Sequence, residues 1–164
     1  MDVAKIYEYA LQREREGKRF FEQNAERFSH AAVVEAFQRL AGEEEQHIRL
    51  IESLLAHLGT EQAPEPDAAA ALRGEGLFAE RAADALLDQT IIESMVPDLS
   101  VLRTAYLIER DFAEFYERAA QQTGDETARA ALQALAGWER GHERLFRQMH
   151  DQAFEEYAGM PWGG

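Results

Sequence analysis

A chain of 164 residues with 46% hydrophobic content is sized for one domain, residues 1–164, with enough apolar side chain to bury a substantial core. Its formal net charge of -14 argues against nucleic acid and against an anionic membrane surface as partners, because both are bound by basic patches; the absence of cysteine excludes disulfides, thiolate metal sites and a catalytic thiol. Metal chemistry would therefore fall to carboxylate and imidazole, and with neither a secretory-type N-terminus nor an apolar run of about 18 residues, the expected location is the cytoplasm.

Ala, Glu, Leu and Arg dominate, and Gly and Pro number only 11 and 4, so the expected fold class is all-α. From Val3 to about Phe28, Tyr7, Ala10, Leu11, Phe21, Ala25 and Phe28 recur at helical spacing, and Glu14 falls on the same face. A break is expected at Ser29 or His30. A second helix follows to about Leu58, with Gly59 in the glycine stop position and a stripe of Val33, Phe37, Leu40, Ala41, Ile48, Ile51, Leu55 and Leu58. Glu44 and His47 interrupt that stripe. So short a connection makes residues 3–58 an antiparallel hairpin.

Between about 59 and 98, Pro64, Pro66, Gly74 and Gly76 break the pattern and weak periodicity returns before Pro97, as in a crossover long enough to run the length of a bundle. It would start the third helix at the same end as the second. Asp98 is a candidate N-cap for that third helix, which carries Leu99, Leu102, Tyr106, Phe112, Ala113 and Tyr116 on one stripe with Glu109 among them. Gly124 and Asp125 close the next turn. The fourth helix runs to about Tyr157 through Ala128, Leu132, Leu135, Leu145, Phe146, Met149 and Phe154, interrupted by Glu139 and His142. His30, His57 and His150 lack any matching pattern and are expected at the surface. The tail, 158–164, holds Trp162, for which docking is an alternative to a loose end.

A shift of 95 residues carries LAGEEEQHIRL onto LAGWERGHERL without a gap: Glu14 falls on Glu109, Phe21 on Tyr116, Glu44 on Glu139 and His47 on His142. The second hairpin, about 99–157, is thus a copy of the first, and two copies packed face to face make a four-helix bundle. Residues three apart on a helix are neighbours, so Glu44 with His47, and Glu139 with His142, can each present two donors to one point. Each polar residue has a plain alternative when taken singly. Glu14 and Glu109 could pair with an inward arginine, and the histidines could be hydrogen-bonded core residues. Together, four carboxylates in an apolar core call for neutralisation, which two divalent ions supply. Phe21 and Tyr116 read first as core aromatics, with the tyrosine hydroxyl able to reach a ligand glutamate.

At these residues the sequence resembles the ferritin-like superfamily and, within it, the rubrerythrin-like (erythrin) group: ALQREREGKRFFEQNAE and LAGEEEQH are similar to that group's first hairpin, and YLIERDFAEFYERAA with LAGWERGH to its second. The resemblance implies a non-haem centre of two iron ions with Glu14, Glu44, His47, Glu109, Glu139 and His142 as ligands and Glu44 and Glu139 as bridges. Iron is preferred to manganese or a mixed pair by resemblance alone. It also implies an oxidoreductase that uses peroxide or dioxygen, with ferroxidase-type iron handling and a non-enzymatic bundle with a structural metal as alternatives. A homodimer is expected, and the long crossover leaves room for an exchange of hairpins between chains. Two departures stand out. Rubrerythrin proper has a further glutamate ligand where this chain has Phe112, and its rubredoxin-type four-cysteine iron centre has no counterpart here, so an external electron donor is expected.

Overall fold

The protein was analysed as a computed structural model, which describes residues 2–28, 31–59 and 99–159. Among these residues there are four helices and no strand: α1 (Val3–Ala25), α2 (Ala31–Ala56), α3 (Leu99–Gln122) and α4 (Glu126–Gly159). The helix ends follow local chemistry. Asp2 is extended and its carboxylate accepts from the Ala4 amide at 3.1 Å, capping α1. Asp125 does the same for α4, accepting from the Ala128 amide at 2.9 Å. Gly59 adopts φ 78°, the left-handed backbone that terminates a helix at little cost only in glycine. The expected break at 29–30, the Asp98 cap, the crossover 60–98 and Trp162 lie outside the described residues.

The helices pair as expected, α1 against α2 and α3 against α4, and the two hairpins close on each other through their apolar stripes to form an all-α four-helix bundle. The core is layered. At one end Phe21, Phe37 and Phe146 form an aromatic cluster, with centroids 5.4–6.0 Å apart, joined by Phe28, Leu40, Leu102 and Met149. At the other end Tyr7, Leu50, Ile51, Phe112, Tyr116, Leu132 and Leu135 form a second cluster. Each helix enters one cluster and leaves through the other, so its middle lies between them. The order along the chain shows that α3 starts at the end of the bundle where α2 starts, the arrangement that a long crossover allows.

Three details differ from the sequence reading. Ile6, Leu50, Leu54 and Val101 are buried although the simplest stripe passes beside them, because each helix of a closed bundle touches two neighbours and buries a face wider than one row. Phe154 is 52% exposed, and Ala153, four residues after buried Met149, takes the inward position. His57 and His150 are half-buried rather than fully at the surface: His57 bonds the Ser53 carbonyl at 2.7 Å, and His150 packs edge-on to Tyr106.

Phe146 and Phe154 on α4 therefore make a matched pair of probes. Phe146→Ala is expected to destabilise the protein by about 3–5 kcal/mol, and Phe154→Ala by less than about 0.5 kcal/mol. Chemical denaturation of the two variants, compared at equal m-value, checks this; equal losses would place Phe154 in the core after all.

Candidate metal centre

Between the two apolar clusters each helix contributes to one polar layer: Glu14 from α1, Glu44 and His47 from α2, Glu109 from α3, and Glu139 and His142 from α4. All six are buried, the four carboxylates completely. Two sets of four donors have ligand atoms within 4.8 Å of one another, one being Glu14, Glu44, His47 and Glu139, the other Glu44, Glu109, Glu139 and His142. Glu44 and Glu139 belong to both sets.

Each carboxylate of the shared pair faces both histidines. Glu139 turns Oε1 toward His47 Nδ1 at 3.1 Å and Oε2 toward His142 Nδ1 at 3.2 Å. Glu44 likewise turns Oε2 toward His47 Nδ1 at 3.5 Å and Oε1 toward His142 Nδ1 at 3.6 Å. Glu14 stays with His47, its Oε2 3.2 Å from Nδ1, and Glu109 with His142 at 3.5 Å. Both imidazoles thus point Nδ1 inward, their rings 5.9 Å apart and inclined by 20°.

Both oxygens of Glu44, both of Glu109 and Oε1 of Glu139 are buried without a hydrogen-bond partner. Such atoms are costly unless a cation meets them. The residues present therefore fit divalent metal by donor type, number and unmet polarity.

The ionisation of the layer shows the same tension. Burial raises Glu44 well above the usual carboxylate range, and the charges of Glu139 and Glu14 raise it further. Burial and Glu139 do the same to Glu109, with His142 opposing. Burial would lower both histidines, but His47 is raised by the charges of Glu139, Glu14 and Glu44, and His142 by the neighbouring carboxylates of Glu109, Glu139 and Glu43. Glu139 alone falls: burial pushes it up, and His47 and His142 overcome that. Protons thus take the place that metal would fill.

The surrounding residues separate the aromatic candidates. The Tyr116 hydroxyl donates a hydrogen bond to Glu14 Oε1, across the bundle and not along its own helix to Glu109. Burial, then the charge of Glu14, raises its pKa well above 10, so it remains a proton donor. Phe112 is buried against Gly17: a Cβ there would lie 3.1 Å from Phe112 Cε2 and 3.7 Å from Glu44 Oε2. The missing side chain at 17 makes room for the ring at 112, and the two positions are equivalent in the repeat. Phe21 stacks on Phe146 at 5.4 Å, within the aromatic cluster at one end of the bundle.

Two further residues touch the site that the motif reading passed over. Glu43 Oε2 accepts from His142 Nε2 at 2.8 Å, and the Trp138 indole stacks on His47, centroids 4.9 Å apart and 7° from parallel. They occupy the same position of the repeat, immediately before each Glu-x-x-His. The mismatch between Glu and Trp at that position was the visible signal.

The fold and this layer define a carboxylate–histidine four-helix bundle of the ferritin-like class. The chain belongs to the rubrerythrin family, whose family model, described as Rubrerythrin, matches residues 5–150. Comparisons with curated proteins and with solved structures return no significant match. Among the described residues no helix is long and apolar enough to cross a membrane.

The pH behaviour of the metal-free protein follows from the signs above. A histidine raised in the folded state contributes stability that is full below its unfolded value near 6.5 and is lost as pH rises through its folded value. A buried carboxylate that is raised destabilises the fold as pH climbs above its unfolded value of about 4.3. Both act in one direction, so metal-free protein should lose melting temperature as pH rises above about 4.3, more steeply above about 6.5 where the histidines join. Divalent metal should remove most of that slope, and its binding should release protons, read from the dependence of calorimetric enthalpy on buffer. A flat profile without metal would show that the layer does not titrate as described.

Proposed function

We propose that this chain is a di-iron oxidoreductase that reduces peroxide or dioxygen. The observation that carries the reading is the pair of four-residue donor sets sharing Glu44 and Glu139, with carboxylate oxygens otherwise unmet. In this reading Glu44 and Glu139, common to both donor sets, would help hold both ions, with Glu14 and His47 holding one and Glu109 and His142 the other. When bound, two ferrous ions supply the electrons that reduce the oxidant. Iron over manganese follows from family membership, since the donor set suits both.

The chain's own contribution is to orient and protect. Tyr116 holds its proton on the phenolic oxygen and fixes Glu14 through it, and the apolar clusters on either side keep bulk water from the layer. Phe112 gives the site an apolar wall where a further carboxylate would add a ligand. These 164 residues hold no cysteine and so no thiolate-held iron centre, and the reading takes the reducing equivalents from outside them. All six donors come from one chain, so the site needs no exchange of hairpins to be complete.

Anaerobic protein loaded with Fe(II) and then exposed to peroxide should develop a near-ultraviolet ferric absorption at about two irons per chain. Glu44→Ala should abolish it. A band that persists in Glu44→Ala, or no band in the parent protein, overturns the proposal, and sustained consumption of excess Fe(II) would point to iron handling instead.

A further inference from the structure

The ligand layer obeys the 95-residue repeat, but its surroundings do not. At the position before each Glu-x-x-His, Glu43 gives His142 an anionic acceptor on Nε2, whereas Trp138 gives His47 the face of an indole. Among the described residues no carboxylate pairs with His47 Nε2; its ion pairs all run through Nδ1. A second asymmetry comes from α1 and α3. The Tyr116 hydroxyl bonds Glu14, while the equivalent Phe21 has no hydroxyl to offer Glu109, whose Oε2 lies 3.5 Å from His142 Nδ1.

Each difference acts on metal in the same sense. A carboxylate on the outer nitrogen of a ligating imidazole fixes the tautomer and ring orientation and makes the inner nitrogen a stronger donor. Its negative charge also favours a cation nearby. Stacking on indole orients His47 but adds no basicity. A hydroxyl donating to Glu14 draws charge from that carboxylate, and no hydroxyl does the same to Glu109.

We propose that the two ion positions are inequivalent: the one at His142 and Glu109 fills first and holds its ion more tightly, and the one at His47 and Glu14 fills second. Glu43 is the positioning residue that sets this order, and Trp138 the residue that withholds the same help from the other side. The inference rests on the two-ion reading of the site.

Zinc(II), which is diamagnetic, titrated into metal-free protein with ¹⁵N-labelled histidine reads the order directly. The His142 Nδ1 resonance should move during the first equivalent and that of His47 during the second, with two calorimetric steps of different affinity. Glu43→Gln, at a side chain only 20% exposed but near-isosteric, should weaken the first step about 10–100-fold and make both resonances move together. Trp138→Glu should strengthen the second step toward the first; should that variant not fold, Glu43→Gln still decides. Movement of His47 first, parallel movement in the parent protein, or unchanged order and affinity in Glu43→Gln overturns the inference. Saturation at fewer than two zinc ions would refute the two-ion reading itself, and this inference with it.

Discussion

The structure depends on one costly arrangement: four carboxylates and two imidazoles held without water in the middle of an apolar bundle. Removing charges from water carries a penalty of several kcal/mol per ion even after relaxation. Protons shared with His47 and His142 offset part of it, and divalent metal would offset more. No other part of the described core departs from ordinary helix packing to this degree. The apolar clusters at either end supply the stability against which the polar layer is held.

The layered core explains where the site lies. Each helix crosses from one cluster to the other, and the donors sit at the point where it leaves the first and has not yet entered the second. The aromatic block of Phe21, Phe37 and Phe146 fixes three helices at one end, while Tyr116 ties α3 to α1 at the other. Outside the core, Lys18 reaches Glu45 at 2.9 Å between α1 and α2, and Arg140 takes both Glu117 oxygens at 2.9 Å between α4 and α3. Exposed pairs of this kind contribute little stability singly, but they fix hairpin register. Register matters here because a slip of one residue would turn a ligand out of the layer.

The repeat makes the ligand layer nearly twofold, and the residues just outside it break that symmetry. Gly17 and Phe112 are a matched pair, a hole and the ring that fills it, at one repeat position. Glu43 and Trp138 differ in the same way, as do Phe21 and Tyr116. A duplicated hairpin brings equivalent donors to one layer, but nothing requires the neighbours of those donors to match. Divergence there can distinguish the two halves without dismantling the site.

The sequence by itself determined the helices, their pairing and the six donors. Helical periodicity is local, and a carboxylate or imidazole on an apolar stripe stands out against it wherever the chain folds. The repeat did the rest by showing that the interruptions come in equivalent pairs. What only the tertiary structure decided is what lies across the bundle: that Tyr116 reaches Glu14, that Phe112 rests on Gly17, that Glu43 and Trp138 meet histidines of the opposite hairpin, and that Ala153 and not Phe154 faces inward. These contacts depend on the rotation and offset of one hairpin against the other, set by how all the core side chains pack at once and by no spacing within a single helix.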